Sequence, residues 1–286
     1  MDVLDRVLAR AAADPGVRGV ILSGSRARGT HTARSDYDVT VVVAEQGQPW
    51  RHDTRTGTLD EVVCTVAALA DTSVHWQRYG FRGARVLLDR LDGGIAELVD
   101  RQATFSAEEA ARHARSSLDG YLNQLYRCVK SRRDGFADAA LLDEMESLPW
   151  LLETVFALHG RLRPYNKYLR WELEHFPLPG PWATALLPDR VRTASLRLFP
   201  AVEALARRRG HADVVDAWGS DVGLIRSFAG NSTPPSVTGG RPRDAPRVRS
   251  PTGVVEVVPW SWSRRSCGRW PGWPGWPPSS TPPGCA

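Results

Sequence analysis

Hydrophobic positions change period along the chain. Val3, Leu4, Val7, Leu8 and Ala11 recur at helical spacing and predict an amphipathic N-terminal helix. Asp14-Pro15-Gly16 is a turn, and the continuous apolar run at 17–22 predicts a buried strand. Residues 24–35 form a polar connection rich in Gly and Arg. Two further β-branched runs, 36–44 and 58–66, predict strands, and 84–88 is a candidate fourth. From Ser106 the period becomes helical. Ser106 and Glu109 form a capping-box pair opening a helix to about Arg133, with Leu118, Leu122, Leu125 and Val129 on one stripe. Asp134-Gly135 ends it. A second long helix is expected over 136–159, with Pro149 inside as a kink. Shorter helices follow at 167–175, 189–209 (with Pro200 as the expected break) and 212–228. The order implies an α+β fold: a mixed β-sheet with helices over 1–105, then an α-helical bundle over 106–231.

Past residue 231 this patterning is lost, and the composition shifts with it. Residues 1–231 carry 30 basic and 30 acidic side chains, whereas 232–286 hold seven Arg against one Asp and one Glu. The whole net charge of +5 therefore sits in the last 55 residues, together with 12 of the 21 prolines and five of the 11 tryptophans. A basic patch with interleaved Trp is one reading of that segment. We read it instead as a disordered tail of frameshifted or read-through origin, and expect activity and stability to survive truncation at about residue 231. The neutral body gives no support to nucleic acid as a partner. No apolar stretch approaches the roughly 20 residues that span a bilayer, the N-terminus lacks a signal-peptide core, and Cys64 and Cys128 show no metal spacing, so they are read as buried thiols. The expected location is cytoplasmic.

The chemistry concentrates in Leu22-Ser-Gly-Ser-Arg-Ala-Arg-Gly-Thr-His-Thr-Ala-Arg-Ser-Asp-Tyr-Asp-Val. In a strand, Asp36 and Asp38 share a face. Two carboxylates that close are unfavourable unless a cation lies between them, and a hard divalent ion such as Mg2+ is held by carboxylates together with substrate phosphates. A third carboxylate on a neighbouring strand would complete a two-metal clamp; Asp60 is the candidate and Glu61 the alternative. Gly24-Ser25 follows the first strand directly. Gly24 lets the backbone approach a ligand, and Ser25 offers an N–H and a hydroxyl to a phosphate. Arg26, Arg28 and Arg34 are close enough in sequence to be phosphate partners. No GxxxxGK[ST] or GxGxxG pattern is present, which excludes the P-loop and dinucleotide-binding readings.

This stretch resembles the signature of the nucleotidyltransferase superfamily with a polymerase-β-like core, which includes aminoglycoside and lincosamide nucleotidyltransferases. Residues 1–229 as a whole resemble a bacterial family in which that core precedes a helical domain. The resemblance places the phosphate-binding pair on Gly24 and Ser25, the paired metal acids on Asp36 and Asp38, and the third acid on Asp60. It implies a Mg2+-dependent transferase carrying two ions, with an NTP, ATP the expected one, as co-substrate. A nucleoside monophosphate would pass to a hydroxyl of a small molecule, and pyrophosphate would leave. Two alternatives stay open: an antitoxin-like transferase that adenylylates a protein or tRNA, and a catalytically inactive nucleotide-binding module.

In the helical half, Asp143, Glu144, Glu146 and Glu153 lie on one helix. They are either a solvated acidic face or include a general base for the acceptor's proton, with Glu146 and Glu153, seven apart, as the candidates. Lys167, one of two lysines in a chain with 35 arginines, is either a tolerated surface residue or a point-charge clamp on the triphosphate. Tyr165 and Tyr168 are read as core. Arg170 and His175 resemble an R-x4-H ribonuclease motif, a pattern short enough to arise by chance. The other histidines show no ligand spacing.

Overall fold

The computed structural model describes residues 2–47 and 50–230. The expected tail over 232–286 lies outside them. The chain runs α1 (Val3–Ala13), β1 (Val17–Ser23), α2 (Gly24–Ala27), β2 (Tyr37–Val43), β3 (Thr54–Arg55), β4 (Leu59–Thr65), α3 (Val66–Ala70), α4 (His75–Arg78), β5 (Arg85–Asp89) and α5 (Gly94–Ala103). A helical region follows: α6 (Ala107–Arg133), α7 (Ala137–Leu158), α8 (Leu169–His175), α9 (Trp182–Ala185), α10 (Pro188–Val191), α11 (Ser195–Arg208), α12 (Ala212–Asp216) and α13 (Ser220–Gly230). Short 3-10 turns at Tyr79–Phe81 and Asn166–Tyr168 precede β5 and α8. The fold is α+β.

The five strands form one mixed sheet in the order β3-β4-β2-β1-β5. β2 and β4 run parallel, and the other neighbours are antiparallel. Both faces are covered, which is why β1 and β2 read as nearly unbroken apolar runs. One face buries Val39, Val41, Val43 and Val63 with Val7 and Ala11 of α1. The other buries Ile21 and Val42 with Ile95 and Val99 of α5 and Leu69 of α3. The helical region has its own core, in which the predicted stripe of Leu118, Leu122, Leu125 and Val129 packs against Leu151, Val155 and Phe156 of α7. α6 and α7 approach closely at Gly120, where a Cβ would lie 2.4 Å from the Trp150 ring.

The Ser106–Glu109 capping box forms in full and opens α6. Pro149 sits inside α7. The expected helix over 189–209 breaks at residues 192–194 rather than at Pro200. Ser195 is the reason: its hydroxyl bonds that of Ser147 and its carbonyl accepts from the Tyr121 hydroxyl, so tertiary hydrogen bonds set where α11 begins. The helix expected over 212–228 is interrupted at Gly219, whose φ is +52°, next to Trp218, whose indole N–H donates to Asp119 at 2.9 Å. α5 has no counterpart among the expected helices, and its N-cap residue, Gly93, has no side chain to cap it. The Asp89 carboxylate accepts from the N–H groups of Ile95 and Ala96 and supplies the cap that the local sequence lacks. Among the described residues no helix is long and apolar enough to cross a membrane.

Candidate active site

The strand phase left open by the sequence is set by the parallel pairing of β2 and β4. Asp38 pairs in register with Asp60, and Val39 with Glu61. Asp38 and Asp60 therefore share the face that carries Val42 and Cys64 toward α5. Glu61 projects to the opposite face, where it is buried and ion-paired with Arg10 of α1. Asp36 stands one residue before β2, on the side of Asp38. Burial raises the pKa of Asp38, and the charges of Asp36 and Asp60 raise it further, against a downward pull from Lys167 and Arg28. Three carboxylates thus face one another across a partly desolvated space. That donor set suits a hard divalent cation, which would relieve the repulsion and favour the ionised form of Asp38. Asp60 also accepts a hydrogen bond from Arg55 of β3.

Gly24 opens α2 directly after β1 with φ +68°. A Cβ there would lie 1.8 Å from Asp38 Oδ2. The Asp38 carboxylate is packed onto the Gly24 backbone, so the turn and the acid pair form one unit. Ser25 is buried, and its carbonyl accepts from the Thr30 N–H at 2.9 Å. Arg26, expected among the phosphate ligands, directs its guanidinium to the carbonyls of Ser35 and Asp36 at 2.8–3.2 Å and stacks over Tyr37 at 4.0 Å. In this arrangement it fixes the backbone that presents Asp36. Arg28 donates to the carbonyls of Tyr79 and Gly80 at 3.0 and 3.1 Å and lies 4.3 Å from the Tyr168 ring. Its Nε and Nη1 are buried without a partner. Arg34 is exposed.

Lys167 reaches this region from the 3-10 turn after α7, near enough for its charge to act on Asp38. Tyr168 is buried with Tyr79 and Leu162, as expected of a core residue. Tyr165 is more open and donates its hydroxyl to the Trp76 carbonyl at 2.8 Å. The two candidate bases on α7 diverge. Glu146 lines a surface cavity with Arg127, Lys130 and Asp143. Glu153 lines another, of about 390 Å³, with His75, Tyr79, Arg163 and Tyr165. Burial raises the Glu153 pKa, but the hydrogen bond with His113, the neighbouring His75 and the charge of Arg163 outweigh it and hold the carboxyl at about 2. A carboxylate so stabilised is a weak proton acceptor. Arg170 pairs with Asp189 and His175 stacks on Trp171, so neither turns toward the other's role in an R-x4-H site.

Sequence spacing missed one constellation. His75, His113 and Glu153 come from α4, α6 and α7 and each offers a ligand atom within 4.8 Å of the others. Separations of 38 and 40 residues carry no local signal, so only tertiary structure reveals it.

The Gly24 turn and the in-register carboxylates of Asp38 and Asp60 thus lie together. Residues 4–64, which span α1 to β4 and contain Gly24, Ser25, Asp36, Asp38 and Asp60, match the model of the nucleotidyltransferase domain family. This stretch is therefore similar to a nucleotidyltransferase domain, whose general chemistry is nucleotidyl transfer. Among solved structures, the chain is similar to a nucleotidyltransferase-like protein from Exiguobacterium sibiricum 255-15 at 16% identity, covering 78% of this chain and 76% of that one. The TM-score is 0.37, too low for the likeness to bear on fold or function. No curated protein matches the chain significantly.

Proposed function

We propose that the protein transfers a nucleoside monophosphate from an NTP, ATP the expected donor, to a hydroxyl of a small molecule, with release of pyrophosphate. The observation that supports this reading best is the Asp38 carboxylate, packed on Gly24 and flanked by Asp36 and Asp60. Two Mg2+ ions held by Asp36, Asp38 and Asp60 would supply neutralisation of the triphosphate and of the charge that develops on transfer. Gly24 and Ser25 hold phosphate oxygens through backbone N–H groups and the serine hydroxyl. Lys167 clamps the triphosphate from the helical side, a role that suits a compact ammonium. Arg26 acts on the site by holding the Asp36 backbone.

The acceptor hydroxyl loses its proton to Asp60 as its oxygen bonds the α-phosphorus, and the bond to the pyrophosphate oxygen breaks. Glu153 is too weakly basic for that step, and Glu146 opens onto a different cavity. In this reading residues 1–105 carry the chemistry and 106–231 bind the acceptor. The cavity of about 390 Å³ between His75, Tyr79 and Glu153, Arg163, Tyr165 has the size that small ligands occupy. The test is pyrophosphate release with Mg2+, each NTP in turn and a panel of polyhydroxylated and amino-sugar acceptors. Asp38→Asn should abolish release. Transfer that survives Asp36→Asn or Asp38→Asn would overturn the reading, and label from ATP found on protein or tRNA would replace the small acceptor with a macromolecular one.

A further inference from the structure

We propose that His75, His113 and Glu153 form a zinc site, separate from the carboxylate cluster on β2 and β4. Glu153 Oε2 lies 2.8 Å from His113 Nε2 and 3.9 Å from His75 Nε2. Ligand atoms bound to one tetrahedral zinc at about 2.0 Å sit about 3.3 Å apart, a spacing the two observed distances bracket. The three ligand atoms all lie within 4.8 Å of one another. The two imidazoles already stand side by side, with ring centroids 4.2 Å apart and planes inclined at 38°.

The surroundings hold these side chains in place. Phe105 stacks on His75 at 5.3 Å with planes inclined by 4°. The helix that carries His75 is tied to the start of α6 by Arg78, which pairs with Glu109 at 3.1 Å, and by the Thr72 hydroxyl, which donates to the same carboxylate at 3.0 Å. Arg163 approaches Glu153 at Oε1, 3.5 Å away, which leaves Oε2 to the two histidines. All three ligands are half-buried. Glu153 and His75 also form part of the wall of the 390 Å³ cavity.

Donor chemistry selects the metal. Two imidazoles with one carboxylate favour a borderline ion such as Zn2+ over Mg2+, which prefers oxygen ligands throughout. A set of two His and one Glu leaves a fourth coordination position open, as catalytic rather than structural zinc sites do. Here that position would take water or a donor atom of a small ligand entering the cavity. The ion would also join α4 to α6 and α7. None of this depends on the transfer reaction proposed above.

The experiment uses the full chain stripped with a chelator and then titrated with zinc in excess Mg2+, with bound metal counted by atomic emission. Cobalt substitution supplies a spectroscopic readout. About one zinc ion per chain is expected, and the visible bands of bound Co2+ should have tetrahedral intensity and disappear on addition of zinc. His113→Ala and Glu153→Gln should each weaken zinc binding by about tenfold or more. Asp38→Asn should bind zinc like the wild type, which separates this site from the carboxylate cluster. Should His113→Ala fail to fold by circular dichroism, His75→Ala on the short surface helix makes the same test. No stoichiometric zinc in the wild type, or equal affinity in the folded His75 and Glu153 variants, would overturn the proposal.

Discussion

Gly24→Ala is a small change with two separable consequences. The residue holds φ +68°, where an L side chain is strained by about 1–2 kcal/mol. In addition, the new methyl would meet Asp38 Oδ2 at 1.8 Å and Cγ at 2.6 Å. Ordinary contact begins at about 3.5 Å, so the carboxylate must withdraw by about 1.7 Å. Gly29 separates the two effects, because its φ is +73° and a Cβ there meets nothing within 4 Å. Gly29→Ala should lose about 1–2 kcal/mol in urea unfolding and keep Mg2+-dependent nucleotide binding. Gly24→Ala should lose that amount and, through displacement of Asp38, lower pyrophosphate release by about a hundredfold, the scale expected of a 1 Å misplacement. The assays are equilibrium unfolding, Mg2+-dependent binding of a fluorescent ATP analogue, and pyrophosphate release. If the two alanine variants retain equal activity, Asp38 is not held where the reaction needs it, and the reasoning fails.

Asp60→Asn should weaken Mg2+-dependent nucleotide binding by about tenfold, one charge-assisted contact of roughly 1.4 kcal/mol, whereas Glu61→Gln, on the opposite face, should leave it unchanged; the same titration reads both. Glu172 is buried and binds Arg161, Arg82 and the Tyr79 hydroxyl, so Glu172→Ala should cost about 3 kcal/mol in urea unfolding, the lower end for a broken buried pair because both arginines keep some solvent. Burial, with the charges of Arg209, Arg161 and Arg208, lowers the His159 pKa from 6.5 to about 4. The unfolded chain therefore binds the proton first as pH falls, and stability present above pH 6.5 is lost on the way down through pH 4. Allowing for the ring's partial exposure, the loss should be about 1–2 kcal/mol, and it should be absent from His159→Leu when unfolding is followed at pH 7.5 and pH 4.5.

The sequence was most readable where local chemistry decides structure. β1, β2 and β4 appear within a residue or so of the expected runs, because β-branched stretches bounded by turns have few alternatives. The capping box at Ser106 announced α6 for the same reason. Asp36 and Asp38 were legible as a pair because period-2 geometry is built into the strand. What distinguishes Asp60 from Glu61 is strand pairing, a long-range property, and a slip of one register position would exchange them. The breaks around α11 and before α13 depend on Ser195, Tyr121 and Trp218, whose partners lie 48 to 99 residues away. His75, His113 and Glu153 meet only because α4, α6 and α7 pack together. Arg26 carried the right charge for a phosphate ligand, yet nothing local reveals that the carbonyls of Ser35 and Asp36 occupy it.

That grip of Arg26 bears on how the protein can diversify. Residues 29–34 are exposed, and the ends of this loop are anchored by α2 on one side and by Arg26, which holds the Ser35 and Asp36 carbonyls, on the other. Doubling the length of a flexible loop costs only about 0.6 kcal/mol in closure entropy. Insertions and new side chains can therefore accumulate at the rim while Asp36 and Asp38 stay where they are. The rim can be rewritten to suit a different molecule without rebuilding the reacting centre.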